Sequence, residues 1–207
     1  ATTTFTGSRT TNTLKLTNGS GSSQILDIVA GNTLTLTAGG LLVTGANAVE
    51  INNGTLRSTT ATNSDLIIHQ YNSGGLSIGS VIANSTGAST LTKSGSGSLT
   101  LSGTNTYTGQ TFLNGGTTII SANANLGAAA TGAQLNLNNA TLRVTADVIL
   151  SNGAVGTNNR AVVLNGIGGT FGEPATYDRQ QAQLLFIDRA SRDKLVEIRV
   201  QHEARYS

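Results

Sequence analysis

Most of the chain, up to about residue 172, is built from short alternating runs that do not lengthen into a helical period. "NTLKLTNG", "QILDIVAGN", "NTLTLTAGG", "AVEINNGTLRS", "STLTKSGSGSLTLSG", "TFLNGGTTII" and "AQLNLNNATLRV" alternate apolar with small or polar side chains over short stretches, broken at Asn or Gly, with adjacent apolar pairs at Ile25-Leu26, Ile28-Val29, Phe112-Leu113 and Ile119-Ile120. Alternation of this kind is the pattern of a strand with one buried face. Asn-Gly and Gly-Gly pairs supply the positive-φ positions of tight corners. Two architectures satisfy these facts: an antiparallel sandwich or barrel, and a right-handed parallel β-helix. Self-similarity favours the second, because "INNGTLRSTT" and "LNNATLRVTA" share the frame Asn-Asn-x-Thr-Leu-Arg. A solenoid of this type would take about 20 to 25 residues per coil.

Composition agrees with a slender core repeated lengthwise. Aromatic residues are 4% of the chain and the apolar fraction is 37%, mostly aliphatic, which suits a thin interior better than a thick one. Twelve basic residues face ten acidic ones, with no basic run interleaved with aromatics, so a nucleic-acid partner is not expected. The absence of cysteine excludes disulfides and Cys-ligated metals. No run approaches the roughly 20 apolar residues of a spanning helix, so membrane insertion of this segment is not expected. Ala1 to Thr13 has no basic-then-apolar leader, and the chain reads as a mature or excised soluble segment.

Charge divides the sequence into residues 1–172, a β-solenoid repeat region, and residues 173–207, a charged tail. Within the tail, Pro174, Tyr177, Leu184, Leu185, Ile187 and Ala190 have the spacing of an amphipathic helix. Val196, Ile198 and Val200 alternate as a strand. The expected fold is therefore all-β, a right-handed parallel β-helix with a short C-terminal helix-plus-strand cap. The strand has a second reading, in which it pairs with another copy and builds a filament end to end.

Chemistry is sparse. The repeat region offers the carboxylates Asp27, Glu50, Asp65 and Asp147, of which Asp27 and Glu50 lie one plausible coil apart. Paired carboxylates could hydrolyse a glycosidic bond, and a carbohydrate-active β-helix enzyme is the alternative reading. Solvated corner charges are the simpler account. His69 and His202 have no partner of catalytic spacing, and no Ser sits in a nucleophile elbow. No catalytic residue, cofactor-binding residue or metal ligand is assigned.

One stretch is more specific than the rest. In "LTKSGSGSLTLSGTNTYTGQTFLNGG", Leu91, Lys93, Gly95, Gly97, Leu99, Leu101, Gly103, Asn105, Tyr107, Gly109 and Thr111 follow a Leu-Thr-Lys-x-Gly-x-Gly-x-Leu-x-Leu-x-Gly-x-Asn-x-Tyr-x-Gly run. This resembles the passenger-associated transport repeat, also called the autotransporter-associated β-strand repeat. The resemblance implies a β-helical passenger, extracellular or at the cell surface of a Gram-negative-type bacterium, with the repeat serving transport and folding. It implies a stalk or adhesive rod whose partner is a host-surface, matrix or carbohydrate ligand. Lys93 is expected on an outer corner, and Tyr107 against a neighbouring coil with its hydroxyl at the surface. Asn105, Asn138 and Asn139 are expected to form corner ladders. The charged tail departs from the family pattern, and so does the lack of strands suited to a membrane barrel.

Overall fold

The structure, a computed structural model, describes residues 1–19, 21–59, 63–128, 134–146, 148, 150, 160–165, 170–172, 184–187 and 195–198. Every described strand pairing up to Gly172 is parallel. The first sheet stacks Thr2–Thr4, Gln24–Asp27, Val49–Asn52, Leu76–Ile78, Leu99–Leu101, Thr117–Ile120, Thr141–Val144 and Thr170–Gly172 in chain order. The second stacks Arg9–Asn18, Thr33–Gly45, Asn63–Gln70, Ala88–Ser94, Thr111–Asn114, Gln134–Asn138 and Ala161–Asn165, again in chain order. The chain thus visits both sheets on each winding and returns one strand-width higher. It is a parallel β-solenoid, as the alternating runs led one to expect. Side-chain bonds between successive windings span 22 residues at Lys93–Gly115 and 28 at Gln70–Ser98.

The early windings have a third side. Thr33–Leu36 pairs with Thr55–Ser58, whereas Gly40–Val43 pairs with Ile67–Gln70 of the same following coil. The strand bends between the two halves at Gly39, whose φ is 70°. A Cβ there would run into the Asp65 carbonyl oxygen, so only glycine lets the sheet turn at that point. Val81–Ile82 extends the third side by one short strand. In the next two windings its place is taken by the extended segment from Ser102 to Gln110 and then by a 3₁₀ turn, Asn123–Leu126.

Inward side chains form columns along the stack. One runs Leu26, Ile51, Ile78, Leu101, Ile120 and Val144 on the first sheet. A facing column on the second sheet runs Leu14, Leu41, Ile68, Lys93, Leu113, Leu137 and Leu164. Each fully buried aliphatic contributes about 1.5–3 kcal/mol relative to exposure, so these columns supply the main cohesion between windings.

The frame Asn-Asn-x-Thr-Leu-Arg marks a corner shape and not a fixed place in the coil. Around Asn53 it turns the chain from the first sheet to the second; around Asn139 it turns from the second to the first. Both asparagines adopt positive φ, 58° and 51°. Asn tolerates this region better than other non-glycine residues, which explains the recurrence.

The tail requires a correction. Leu184–Ile187, expected on a helix, is a strand, paired antiparallel with Leu195–Ile198. Four consecutive apolar residues fit a helix stripe and a buried strand equally well, and pairing with a neighbouring strand decided the matter. Val196 and Ile198 stand in this hairpin, opposite Phe186 and Leu184. Val200 and the remainder of the expected helix lie outside the described residues.

Candidate functional site

Polar side chains are buried along the whole stack, from Asn18 to Arg160, and those of residues 91–127 include Lys93, Asn105, Thr111 and Asn125. Lys93 is fully buried, between Ile68 below and Leu113 above. Its Nζ donates to the Gly95 carbonyl at 2.7 Å and to the Gly115 carbonyl at 2.8 Å, joining the corners of two successive windings. Burial pulls its pKa down to about 8. The outer-corner expectation for Lys93 is therefore wrong. Strand alternation from Leu91 makes Lys93 inward, and its stem packs as an aliphatic while the ammonium reaches corner carbonyls.

Tyr107 is also fully buried, and its hydroxyl does not reach the surface. The Tyr107 hydroxyl lies 2.8 Å from Thr111 Oγ1, and Thr111 Oγ1 in turn donates to the Leu126 carbonyl at 3.4 Å. Thr111 replaces an aliphatic in the column of Leu66, Leu91, Leu135 and Val162. Burial raises the Tyr107 phenol above its ordinary range, with the Thr111 bond and the Arg160 charge opposing. Arg160 is buried as well. Its Nη2 donates to the Gly127 carbonyl at 2.9 Å and its Nε to Asn123 Oδ1 at 3.2 Å, and burial lowers its pKa.

Asparagines replace a strand where the third side ends. Asn105 Oδ1 accepts the Ile82 backbone N–H at 2.7 Å, and Asn105 Nδ2 donates to the Asn125 carbonyl. One winding on, Asn125 Nδ2 donates to the Gly103 carbonyl at 3.0 Å while its Oδ1 accepts from the Ser121 and Ala122 N–H groups. The expected corner ladder holds for Asn105, with Asn125 as its partner. Asn138 is exposed, and Asn139 serves by its positive φ. Gly95, Gly97, Gly103 and Gly109 each press on the coil below: a Cβ would meet the carbonyl oxygens of Gln70, Asn72, Ser80 and Ser89 respectively.

Sequence reasoning missed Arg160, Asn125 and the buried amide Gln70, whose Nε2 donates to the Ser98 carbonyl at 2.9 Å. Gln70 falls on the inward phase of its strand, after Leu66 and Ile68, and could have been found by phase alone, whereas Asn125 lies in the 3₁₀ turn, where no alternation marks it. Arg160 shares the phase of Val162 and Leu164, but its charge argued against an inward position.

Of the carboxylates, Asp27 braces a corner, whereas Glu50 and Asp65 lie within strands. Asp27 lies beside Asn52 and Glu50 beside Ile25, so coil stacking places both on the outward side of the first sheet. Asp27 Oδ1 accepts from the Val29 N–H and from Asn53 Nδ2, both at 2.9 Å. Glu50 accepts from Ser23 Oγ at 3.2 Å and Asn52 Nδ2 at 3.1 Å. A shallow cleft of about 150 Å³ beside Glu50 is lined by Gly74, Gly75, Ser77, Ser98 and Thr100 but not by Asp27. Asp65, half-buried, accepts Thr92 Oγ1 at 3.1 Å on both oxygens; burial raises its pKa and that bond opposes the rise. His69 is exposed on the outer face of the second sheet. Among the described residues no three or more of His, Asp and Glu gather as a metal site would require.

The family model of the passenger-associated-transport-repeat matches residues 91–120, the stretch from Leu91 in the second sheet to Ile120 in the first. Residues 91–120 carry the pattern of that repeat. The repeat opens on Leu91 and Lys93, includes Asn105, Tyr107 and Thr111, and closes on the column residue Ile120. Its polar positions are thus core positions. The chain is also similar to an adhesin autotransporter, BmaC, of Brucella suis biovar 1 (strain 1330), at 36% identity over 154 residues and 66% of this chain. The match spans 4% of the length of that relative. No solved structure matches the chain.

Proposed function

We propose that this chain is a segment of an autotransporter-type passenger on the surface of a Gram-negative-type bacterium, where it acts as a stalk or adhesive rod. The observation that carries the reading is the passenger-associated-transport-repeat, built without interruption into a continuous solenoid. Likeness to a curated adhesin autotransporter supports the adhesive role. The reading is non-catalytic: Asp27 and Glu50 are both engaged in hydrogen bonds on the outward side of the first sheet, and the repeat's titratable groups Lys93 and Tyr107 are buried away from solvent. The ligand class is a host-surface, matrix or carbohydrate structure meeting the outward side chains of the sheets. Residues 173–207 would join the solenoid to a further domain or cover its last winding.

The test uses the complete protein in which the segment resides, expressed in its host and compared with a strain deleted for residues 1–172. An antibody to the segment should label intact cells, and the deletion should lower adhesion to immobilised matrix proteins or glycans. Labelling only after cell lysis would refute surface presentation. Unchanged adhesion would refute the adhesive role and leave that of a stalk.

A further inference from the structure

We propose that Lys93 selects which winding stacks next to its own: it accepts the coil whose corner is Gly115-Gly116 and discriminates against the others. The aliphatic columns cannot make that choice. Leu41, Leu113 and Leu137 are the same residue at the same column position, so a stack that skipped one winding would keep its apolar contacts. With Ala88–Ser94 paired directly to Gln134–Asn138, Leu91 would meet Leu135 and the column would be unbroken. Parallel repeat arrays therefore need a device that sets coil order.

Lys93 has the properties of such a device. It is the charged member of a column that is otherwise Leu and Ile, and its ammonium is bonded to backbone carbonyls, one on its own corner and one on the next. The fit is close. A Cβ at Gly116 would lie 2.6 Å from Lys93 Nζ and 2.7 Å from the carbonyl oxygens of both Gly95 and Gly97. The residues two and three beyond each of the other column positions are Leu16-Thr17, Val43-Thr44, Gln70-Tyr71, Gly115-Gly116, Asn139-Ala140 and Gly166-Ile167. Leu113 alone is followed at those places by two glycines. In a stack that skipped that winding, Ala140 would take the place of Gly116 and set its methyl group against the ammonium. A buried charge deprived of its acceptors is strongly destabilising, so the lysine disfavours the wrong neighbour more than it strengthens the right one.

The chain has no cysteine, which makes a disulfide reporter clean. Ser94 stands beside Asn114, and Asn114 beside Asn138, all on the outward side. Ser94→Cys with Asn114→Cys reports the native neighbour; Ser94→Cys with Asn138→Cys reports the skipped one. Each pair is refolded from denaturant at high dilution under oxidising conditions, with Lys93 retained and with Lys93→Met or Lys93→Leu. With Lys93 retained, the native pair should cross-link and the skipped pair should remain largely reduced. Replacing Lys93 should raise the skipped-pair yield by about fivefold or more. Equal skipped-pair yields in variants that regain the strand circular dichroism signal would overturn the proposal. Failure of both variants to regain that signal would overturn it too, since Lys93 would then be required for folding and would not be a selector among stacks.

Discussion

The Tyr107 hydroxyl and Thr111 Oγ1 lie 2.8 Å apart inside the core, and Thr111 Oγ1 also lies 3.4 Å from the Leu126 carbonyl. Tyr107→Phe keeps the ring and removes the hydroxyl, leaving Thr111 Oγ1 short of one bond. A loss of about 1–2 kcal/mol is expected, read as a lower urea midpoint at unchanged slope. An unchanged midpoint would mean that the hydroxyl contributes nothing to the coil.

Lys93 makes stability depend on alkaline pH. Its folded pKa of about 8 lies below the ordinary 10.5, so between these values the unfolded chain holds a proton that the folded chain has released. Stability therefore rises with pH across that window, by up to about 3 kcal/mol at most, and the charged form carries the penalty below it. Urea midpoints at pH 7.5, 9 and 10 should climb in the parent chain, and Lys93→Met should flatten the climb. The same slope in both chains would assign the effect elsewhere.

Asn105 does the work of a missing strand, and its loss should be felt one winding away. Asn105→Ala strands the buried Ile82 N–H, at a cost of about 1–3 kcal/mol. Hydrogen exchange should show the Ile82 amide losing protection more than amides of the first sheet. Uniform loss across the chain would argue against a local role.

Two glycine substitutions should differ in outcome. At Gly109 a Cβ would meet the Ser89 carbonyl and lie 3.0 Å from the Thr90 nitrogen, so Gly109→Ala must push adjacent windings apart. A loss of about 2 kcal/mol or more is expected. At Gly7 a Cβ meets nothing within 4 Å, and Gly7→Ala should change stability by less than about 1 kcal/mol in either direction. Thermal unfolding of the two variants side by side checks the contrast.

Much of the architecture could be read without coordinates. Alternation in "GSLTLSG" and "AQLNLNN" places Leu99, Leu101, Leu135 and Leu137 inward, and all four are buried. The tail was less legible. "LLFI" satisfies a helix stripe and a strand alike, and its pairing with Leu195–Ile198 is information that no local pattern contains.

The candidate site divides the same way. By itself the sequence determined the period, the corners, the aliphatic columns and the position of the repeat, because each follows from spacing along one segment. Alternation also held the inward phase of Lys93 and Tyr107, but hydrophobicity argued against it and pointed both polar groups outward. Only the stacked windings decided the matter. They bring the Gly95 and Gly115 carbonyls to the Lys93 ammonium and fold the chain so that Thr111 meets the Tyr107 hydroxyl. A buried polar group is tolerable only where partners converge on it, and partners from another winding are set by three-dimensional register, not by composition or local spacing.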